Sequence, residues 1–345
     1  MSEQLEARQS TGPSDDRSND GPPRWKELLQ NRSLALVPVL LVAVLVGFIM
    51  SPVFLTQRNI INLTQQSSEL AIVVVALSLV LISGKFDLSL ESTFGLAPMV
   101  GAFMILPAAV CGSGLGLPPV LGLLVTVAVG LLVGFVNGFL VIRLELNAFI
   151  VTIAMLILLR GLTLGLVSGR TLFQLPDSFL YLGQASWIGI PVSLWAAGLI
   201  FLLASLFLRY HQVGRAMYAI GGNAEAARAA GINVARIQWG VFMSAGALAA
   251  IGGLALAGRT ASVTPSQGTN LIFSAFAAAV IGGISLNGGR GTMLGAFLGV
   301  LLLAVITNIL TLSQIPSFWI DATNGAIILV AILISRFTAG KEEVD

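Results

Sequence analysis

Apolar runs of about 20 residues recur along this chain from Leu34 to Phe337. As helices, each is long enough to cross a hydrocarbon core of roughly 30 Å. The runs lie near residues 34–50, 66–82, 88–106, 119–142, 147–168, 192–208, 235–257, 270–285, 292–311 and 317–336. Pro/Gly punctuation separates them at Ser51-Pro52, Ser83-Gly84, Pro118-Pro119, Ile190-Pro191, Gly288-Gly289 and Ile315-Pro316. Composition agrees: 10% of the residues are Asp, Glu, Lys or Arg, against roughly 25% in a soluble domain. Many of the 38 glycines fall inside the runs, as expected where small residues let helices approach closely. Little chain remains for a soluble catalytic domain. The expected fold is an all-α polytopic membrane protein with about ten transmembrane helices.

The basic residues orient these helices. With a cytoplasmic N-terminus and ten crossings, fourteen of the 18 Lys and Arg residues face the cytoplasm, among them Lys85, Arg143, Arg209, Arg215, Arg228, Arg236 and Arg290. Arg58, Arg170 and Arg259 fall on the other face, and Arg160 lies inside a run. This asymmetry follows the positive-inside rule and predicts that both termini are cytoplasmic. Residues 1–24 contain only Met1, Leu5 and Ala7 as apolar members. Such a segment cannot bury enough surface to offset its ordering entropy, so residues 1–33 are expected to be a disordered tail. A lead this hydrophilic also argues against a cleaved signal peptide. Residues 34–337 then form the membrane domain, and 338–345 a short C-terminal tail.

Several chemistries are excluded. The net charge of +2 and the lack of a Lys/Arg-rich run argue against nucleic-acid binding. Cys111 and His211 are the only residues of their kinds, so no Cys or His metal cluster is expected. Lys26, Lys85 and Lys341 are followed by Glu27, Phe86 and Glu342, which rules out a G-x-x-x-x-G-K-[S/T] phosphate loop. No G-x-S-x-G or H-E-x-x-H sequence occurs either. No catalytic residue, metal ligand set or cofactor site is therefore assigned. If ATP drives this protein, another chain hydrolyses it.

The polar stretch 209–233 stands out between two apolar runs. Asn223 suits an N-cap and Glu225 the positive first turn of a helix. Residues Ala224 to Ala230 are rich in the best helix former, and Gly231 fits the left-handed position past a helix end. A short, doubly capped cytoplasmic helix with a small-residue surface is predicted. Its Ala face suits a groove on a partner protein, with Glu225 and Arg228 as polar contacts. Inside the membrane region, Asp87, Ser89, Asn147 and Arg160 are gate or pathway candidates, with helix capping and structural pairing as the alternatives. Ile82, Gly84, Thr93 and Ala97 also recur as Ile281, Gly283, Thr292 and Ala296, at an offset of 199 residues. A true repeat and a coincidence of apolar sequence both remain open. A repeat would suggest paired half-bundles with discontinuous helices.

The segment Gly214-Arg215-Ala-Met-Tyr-Ala-Ile-Gly221-Gly222-Asn223-Ala-Glu225-Ala-Ala-Arg228-Ala-Ala-Gly231-Ile closely resembles the cytoplasmic loop of ribose/xylose/arabinose-type ABC importer permeases. Gly84-Lys-Phe-Asp87-Leu-Ser89-Leu-Glu-Ser92 looks like that family's G-G-I-D-L-S-x-G-S signature. It departs from it at Ser83, at the Lys85-Phe86 pair and at Glu91. Asn147-Ala-Phe-Ile-Val-Thr152 with Arg160-Gly161, and the glycines from Gly282 to Gly291, are similar to two further family segments. The resemblance covers about residues 35–337 in the same order.

What it implies is a type II ABC importer-like permease in the bacterial inner membrane. Its implied partners are an ABC ATPase subunit, an extracytoplasmic solute-binding protein and a second permease copy, either identical or a paralogue. Carried over by position, the helix at Asn223–Gly231 transmits ATPase closure, with Gly214, Arg215, Gly221, Gly222, Asn223, Glu225, Arg228 and Gly231 as coupling residues. The chain would need no cofactor, with ATP on the partner subunit. The expected cargo is a monosaccharide-like solute. The alternatives are an ion-coupled secondary transporter and a permease for a nucleoside or signalling sugar.

Overall fold

The computed structural model describes residues 35–339. The expected N-terminal tail at 1–33 and most of the C-terminal tail at 338–345 lie outside the described residues. Thirteen α-helices are present among them: α1 (Leu36–Met50), α2 (Gln57–Ile82), α3 (Leu90–Ile105), α4 (Pro119–Gly138), α5 (Ala148–Leu166), α6 (Asp177–Gln184), α7 (Val192–Tyr210), α8 (Gln212–Gly222), α9 (Ala224–Ala229), α10 (Val234–Thr260), α11 (Leu271–Ile281), α12 (Met293–Leu312) and α13 (Ser317–Ala339). Each of the ten apolar runs falls on one of these helices. Among the described residues, six helices are long and apolar enough to cross a membrane: α2, α4 with its π-helical extension to Arg143, α5, α7, α10 and α12. The apolar helices α1, α3 and α11 are shorter. α3 and α11 each adjoin a Gly-containing break that uses chain without extending the helix.

Two helices form the centre. Along α2 every residue from Ala71 to Ile82 is buried, and a helix apolar on all faces belongs in an interior. α10 buries small residues such as Gly246, Ala249, Gly253, Ala257 and Gly258. These allow backbone-to-backbone crossings. A Cβ added at Gly246 would meet the Gly130 carbonyl of α4 at 2.2 Å, and one at Gly253 the Phe94 carbonyl of α3 at 2.1 Å. Outward surfaces of α5 and α7 remain apolar, with Ile157 at 66% and Leu199 at 55% exposure. In a water-soluble fold such a surface would be a liability, whereas here it matches hydrocarbon.

The stretch between α5 and α7 contains more structure than the sequence suggests. Leu172 and Val263 exchange backbone hydrogen bonds at 2.9 and 3.0 Å. α6 follows, and then a two-stranded hairpin pairs Ser186–Trp187 (β1) with Ile190–Pro191 (β2). Ile188 and Gly189 turn this hairpin with φ of +56° and +75°, the left-handed pair that a tight two-residue turn requires.

Candidate functional site

The break after α2 and the break after α11 close with the same backbone motif. Gly84 N–H donates to the Leu81 carbonyl at 2.8 Å and Lys85 N–H to Val80 at 3.2 Å. After α11, Gly283 N–H donates to Val280 and Ile284 N–H to Ala279, both at 2.9 Å. Gly84 and Gly283 carry φ of +76° and +83°, so both helices end in Schellman caps that favour glycine. The sequence echo is structural at this point. It lapses afterwards, because Thr93 sits inside α3 while Thr292 caps α12 by accepting from Gly295 N–H at 3.0 Å.

The two breaks meet at the end of α8. Gly289 N–H donates to the Ile82 carbonyl at 3.0 Å, and Gly221 packs against both groups. A Cβ at 221 would lie 2.0 Å from the Ile82 oxygen and 2.3 Å from the Gly289 nitrogen. Tyr218 on the same helix donates to the Gly291 carbonyl at 2.8 Å. Burial pushes its phenol above the ordinary tyrosine range, which keeps the proton on that oxygen. From the start of α10, Gln238 Nε2 donates to the Ser83 carbonyl at 3.0 Å.

α9 is the doubly capped helix expected from the sequence. Asn223 Oδ1 accepts from Glu225 N–H at 3.0 Å and from Ala226 N–H at 2.9 Å. At the other end Gly231 N–H donates to Arg228 and Ile232 N–H to Ala227, with Gly231 at φ +83°. Ala227 is buried against Ile220 and Val234, which fixes the orientation of the helix. Glu225, Ala226, Arg228 and Ala229 face outward.

Gly214 and Arg215 lie on α8, a helix the sequence reading did not anticipate although Val213, Met217 and Ile220 carry its period. Gly214 packs against the Phe207 carbonyl, and Arg215 Nη1 donates to the Tyr210 carbonyl at 2.7 Å. Gly222 is open, with nothing within 4 Å of a Cβ built there. A cavity of about 500 Å³ separates α8 from the start of α10, lined by Gln212, Arg215, Ala219, Ile232 and Ile237.

The four gate or pathway candidates do not converge. Asp87 and Ser89 form one buried cluster with Asn137. Asp87 Oδ1 accepts from Ser89 N–H at 2.9 Å and from Ser89 Oγ at 2.6 Å, while Asn137 Nδ2 donates to Ser89 Oγ at 2.7 Å. Arg160 belongs to a second cluster. Its Nη2 pairs with Glu91 Oε1 at 3.2 Å, and its Nη1 donates to the carbonyls of Pro265 and Gln267 at 3.0 and 2.9 Å. Glu91 Oε2 in turn accepts from Ile272 N–H at 3.5 Å in the first turn of α11. Asn147 stands apart and caps α5, accepting from Phe149 and Ile150 N–H at 3.0 and 3.2 Å.

Interhelical hydrogen bonds also occupy Asn308, which exchanges amide bonds of 2.9 Å with Asn59, and Asn324, which donates to Ser274 Oγ at 3.4 Å. A third ionic cluster carries no local signature in the sequence. Arg259, at the end of α10, grips Glu69 of α2 through Nε to Oε1 at 2.5 Å and Nη2 to Oε2 at 3.1 Å.

The chain also has known relatives by sequence. Residues 59–335 match the family model for the permease component of branched-chain amino acid transport systems. The chain belongs to this permease family. It is 33% identical over 313 residues to the ribose import permease protein of Escherichia coli (strain K12), covering 90% of this chain and 94% of that one. The Bacillus subtilis (strain 168) ribose import permease protein is 33% identical, over 86% of this chain and 90% of its own. The xylose transport system permease protein of E. coli (strain K12) is 32% identical over 83% and 86% respectively. The family description names branched-chain amino acid transport, and the names of these three relatives cite ribose and xylose.

Proposed function

We propose that this permease is the translocation subunit of an ATP-driven ABC importer for a monosaccharide-like solute. The observation that carries this reading is the similarity to ribose and xylose permeases along nearly the whole chain. In this reading ten helices cross the inner membrane: α1 to α5, α7 and α10 to α13. Both termini and α9 face the cytoplasm, and the hairpin and α6 face outward, where a solute-binding protein docks. Residues 34–337 are the membrane domain, with 209–233 as its coupling loop. A second permease copy completes the pathway, and ATP is bound and hydrolysed on separate subunits.

The coupling mechanism follows from what α9 touches. Its outward residues Glu225 and Arg228 meet the ATPase, while Ala227 and the glycines at the end of α8 hold it to the bundle. Movement of α9 reaches Gly221 through two intervening residues, and Gly221 bears on backbone atoms of both helix breaks. No long side chain intervenes to absorb the motion. ATPase closure thereby shifts α2 and α11 together and alternates access. Deleting Ala224–Ala230 is expected to abolish co-purification of the ATPase while leaving membrane insertion intact. Retained assembly with the ATPase refutes the proposal. Uptake in ATPase-free vesicles that collapses with an ion gradient would instead identify a secondary transporter.

A further inference from the structure

At the end of the bundle opposite α9, a cavity of about 260 Å³ opens between α2, α10, α11 and α13. Arg259 lies 21 residues beyond Gln238 on α10, about 31 Å along the helix axis. The rim carries exposed Asn270 and Asp321, and the wall narrows to buried Glu69 and Phe94. It is a funnel-like hollow, open at its mouth and floored by buried residues. No sequence motif marks it, and the gate candidates at Asp87 and Arg160 are not among its lining residues.

We infer that this funnel is a transit site for a neutral polyhydroxylated solute, formed by the Glu69–Arg259 pair, Asn270 and Asp321. The inference rests on the reading of this chain as a sugar permease. The charges themselves argue for the ligand class. Glu69 occupies the Nε and Nη2 faces of Arg259, so an incoming carboxylate would meet a neutralised guanidinium beside an existing anion. Nη1 of Arg259 donates to no other group among the described residues and remains available to a hydroxyl. Asp321 Oδ2 accepts from Asn270 Nδ2 at 3.2 Å, which leaves its other oxygen as an acceptor.

The site thus offers both a donor and an acceptor, and a hydroxyl is the small group that can meet both. Phe94, Leu256 and Leu271 complete the wall with apolar surface for the C–H face of such a solute. The volume lies below the ~300–1,000 Å³ of drug-sized sites, and the mouth is open. Both features favour the weak, rapidly released binding that a pathway requires. Asn270 is held at φ +65°, a conformation that Asn and Gly accept more readily than other residues, and its amide reaches Asp321.

The test uses the permease assembled with its ATPase and solute-binding protein in proteoliposomes, with labelled D-ribose and D-xylose as probes. Asn270→Gly keeps the left-handed backbone and removes the amide, and Asp321→Asn keeps the shape and removes the charge. Each is expected to lower maximal uptake about tenfold with unchanged half-saturation and unchanged ATPase activity. Saturation-transfer signals from the same sugars on permease nanodiscs should fall in both variants. Wild-type uptake matched by both variants overturns the site and leaves the function standing. Absence of sugar uptake by the wild type overturns the function and the site with it. Saturation transfer from leucine in place of the sugars overturns the ligand class. Loss of uptake together with a lowered unfolding temperature assigns a structural role to these residues and also overturns the site.

Discussion

Adjacent glycines at the end of α8 should respond to alanine in opposite directions. At Gly221 a new Cβ would lie 2.0 Å from the Ile82 oxygen, 2.3 Å from the Gly289 nitrogen and 3.0 Å from the Gly289 Cα. All three atoms are backbone, so no side chain can rotate away. Forcing one carbon into a packed site costs about 1–3 kcal/mol. Separating Ile82 from Gly289 also strains their 3.0 Å hydrogen bond, a further cost of about 0.5–1.5 kcal/mol. The helical preference of alanine returns roughly 0.5–1 kcal/mol. Gly221→Ala is therefore expected to destabilise the permease by about 0.5–4 kcal/mol, with a central value of about 2 kcal/mol. At Gly222 nothing lies within 4 Å, so only the favourable helical term acts and Gly222→Ala is neutral or slightly stabilising. Thermal unfolding in one detergent, followed by tryptophan fluorescence, ranks the two variants against wild type. Equal unfolding temperatures for the two would refute the argument. If the contact also transmits motion, Gly221→Ala should uncouple ATP hydrolysis from uptake while Gly222→Ala does not.

Other contacts make separate predictions. Arg160→Met leaves Glu91 buried without its cation, an imbalance worth about 3–5 kcal/mol; adding Glu91→Gln should recover much of the loss in unfolding measurements. Tyr218→Phe removes only the bond to the Gly291 carbonyl and should cost about 1 kcal/mol, with ATPase binding unchanged in pull-down. Gly258→Ala places a Cβ 2.4 Å from the Leu180 carbonyl and should lower the unfolding temperature, whereas Gly165→Ala on α5, with nothing within 4 Å, should not.

The helices that carry the ten apolar runs are readable because hydrophobicity is a local property that accumulates over a window of residues. The caps at Asn223 and Gly231 were readable for the same reason: an N-cap and a left-handed C-terminal glycine each need only three or four neighbouring residues. α2 begins at Gln57 and not near residue 66, because a polar first turn does not interrupt a helix even though it interrupts an apolar run. α8 is hard to read from sequence because its apolar period rests on three residues, Val213, Met217 and Ile220, inside a polar stretch. The clusters were the least legible part. Glu69 meets Arg259 across 190 positions, and Ser89 meets Asn137 across 48. Nothing near any of these residues names its partner. Arg160 illustrates the boundary: its cost inside a span demands a partner, yet only the fold identifies Glu91 and two loop carbonyls.

These elements are joined by α10. It is capped by Asn233, two residues after the Gly231 that closes α9, and runs 27 residues from Val234 to Thr260. That is about 40 Å of continuous hydrogen-bonded helix. Its first turns hold the α2 break through Gln238, and its last turn holds Glu69 through Arg259. Between them it touches its neighbours through glycine and carbonyl, at Gly246 against α4 and Gly253 against α3. These contacts set close helix distances, and Trp239 locks the first turns of α10 to α4 by donating to the Phe135 carbonyl at 3.1 Å and packing on the Phe135 and Phe139 rings. In the proposed mechanism, a displacement imposed beside α9 would reach the Glu69–Arg259 pair along a helix that contains no proline and is not interrupted by a loop. In the proposed mechanism, the docking helix and the outer funnel are two ends of one rigid element, and the two helix breaks are where the rest of the bundle gives way.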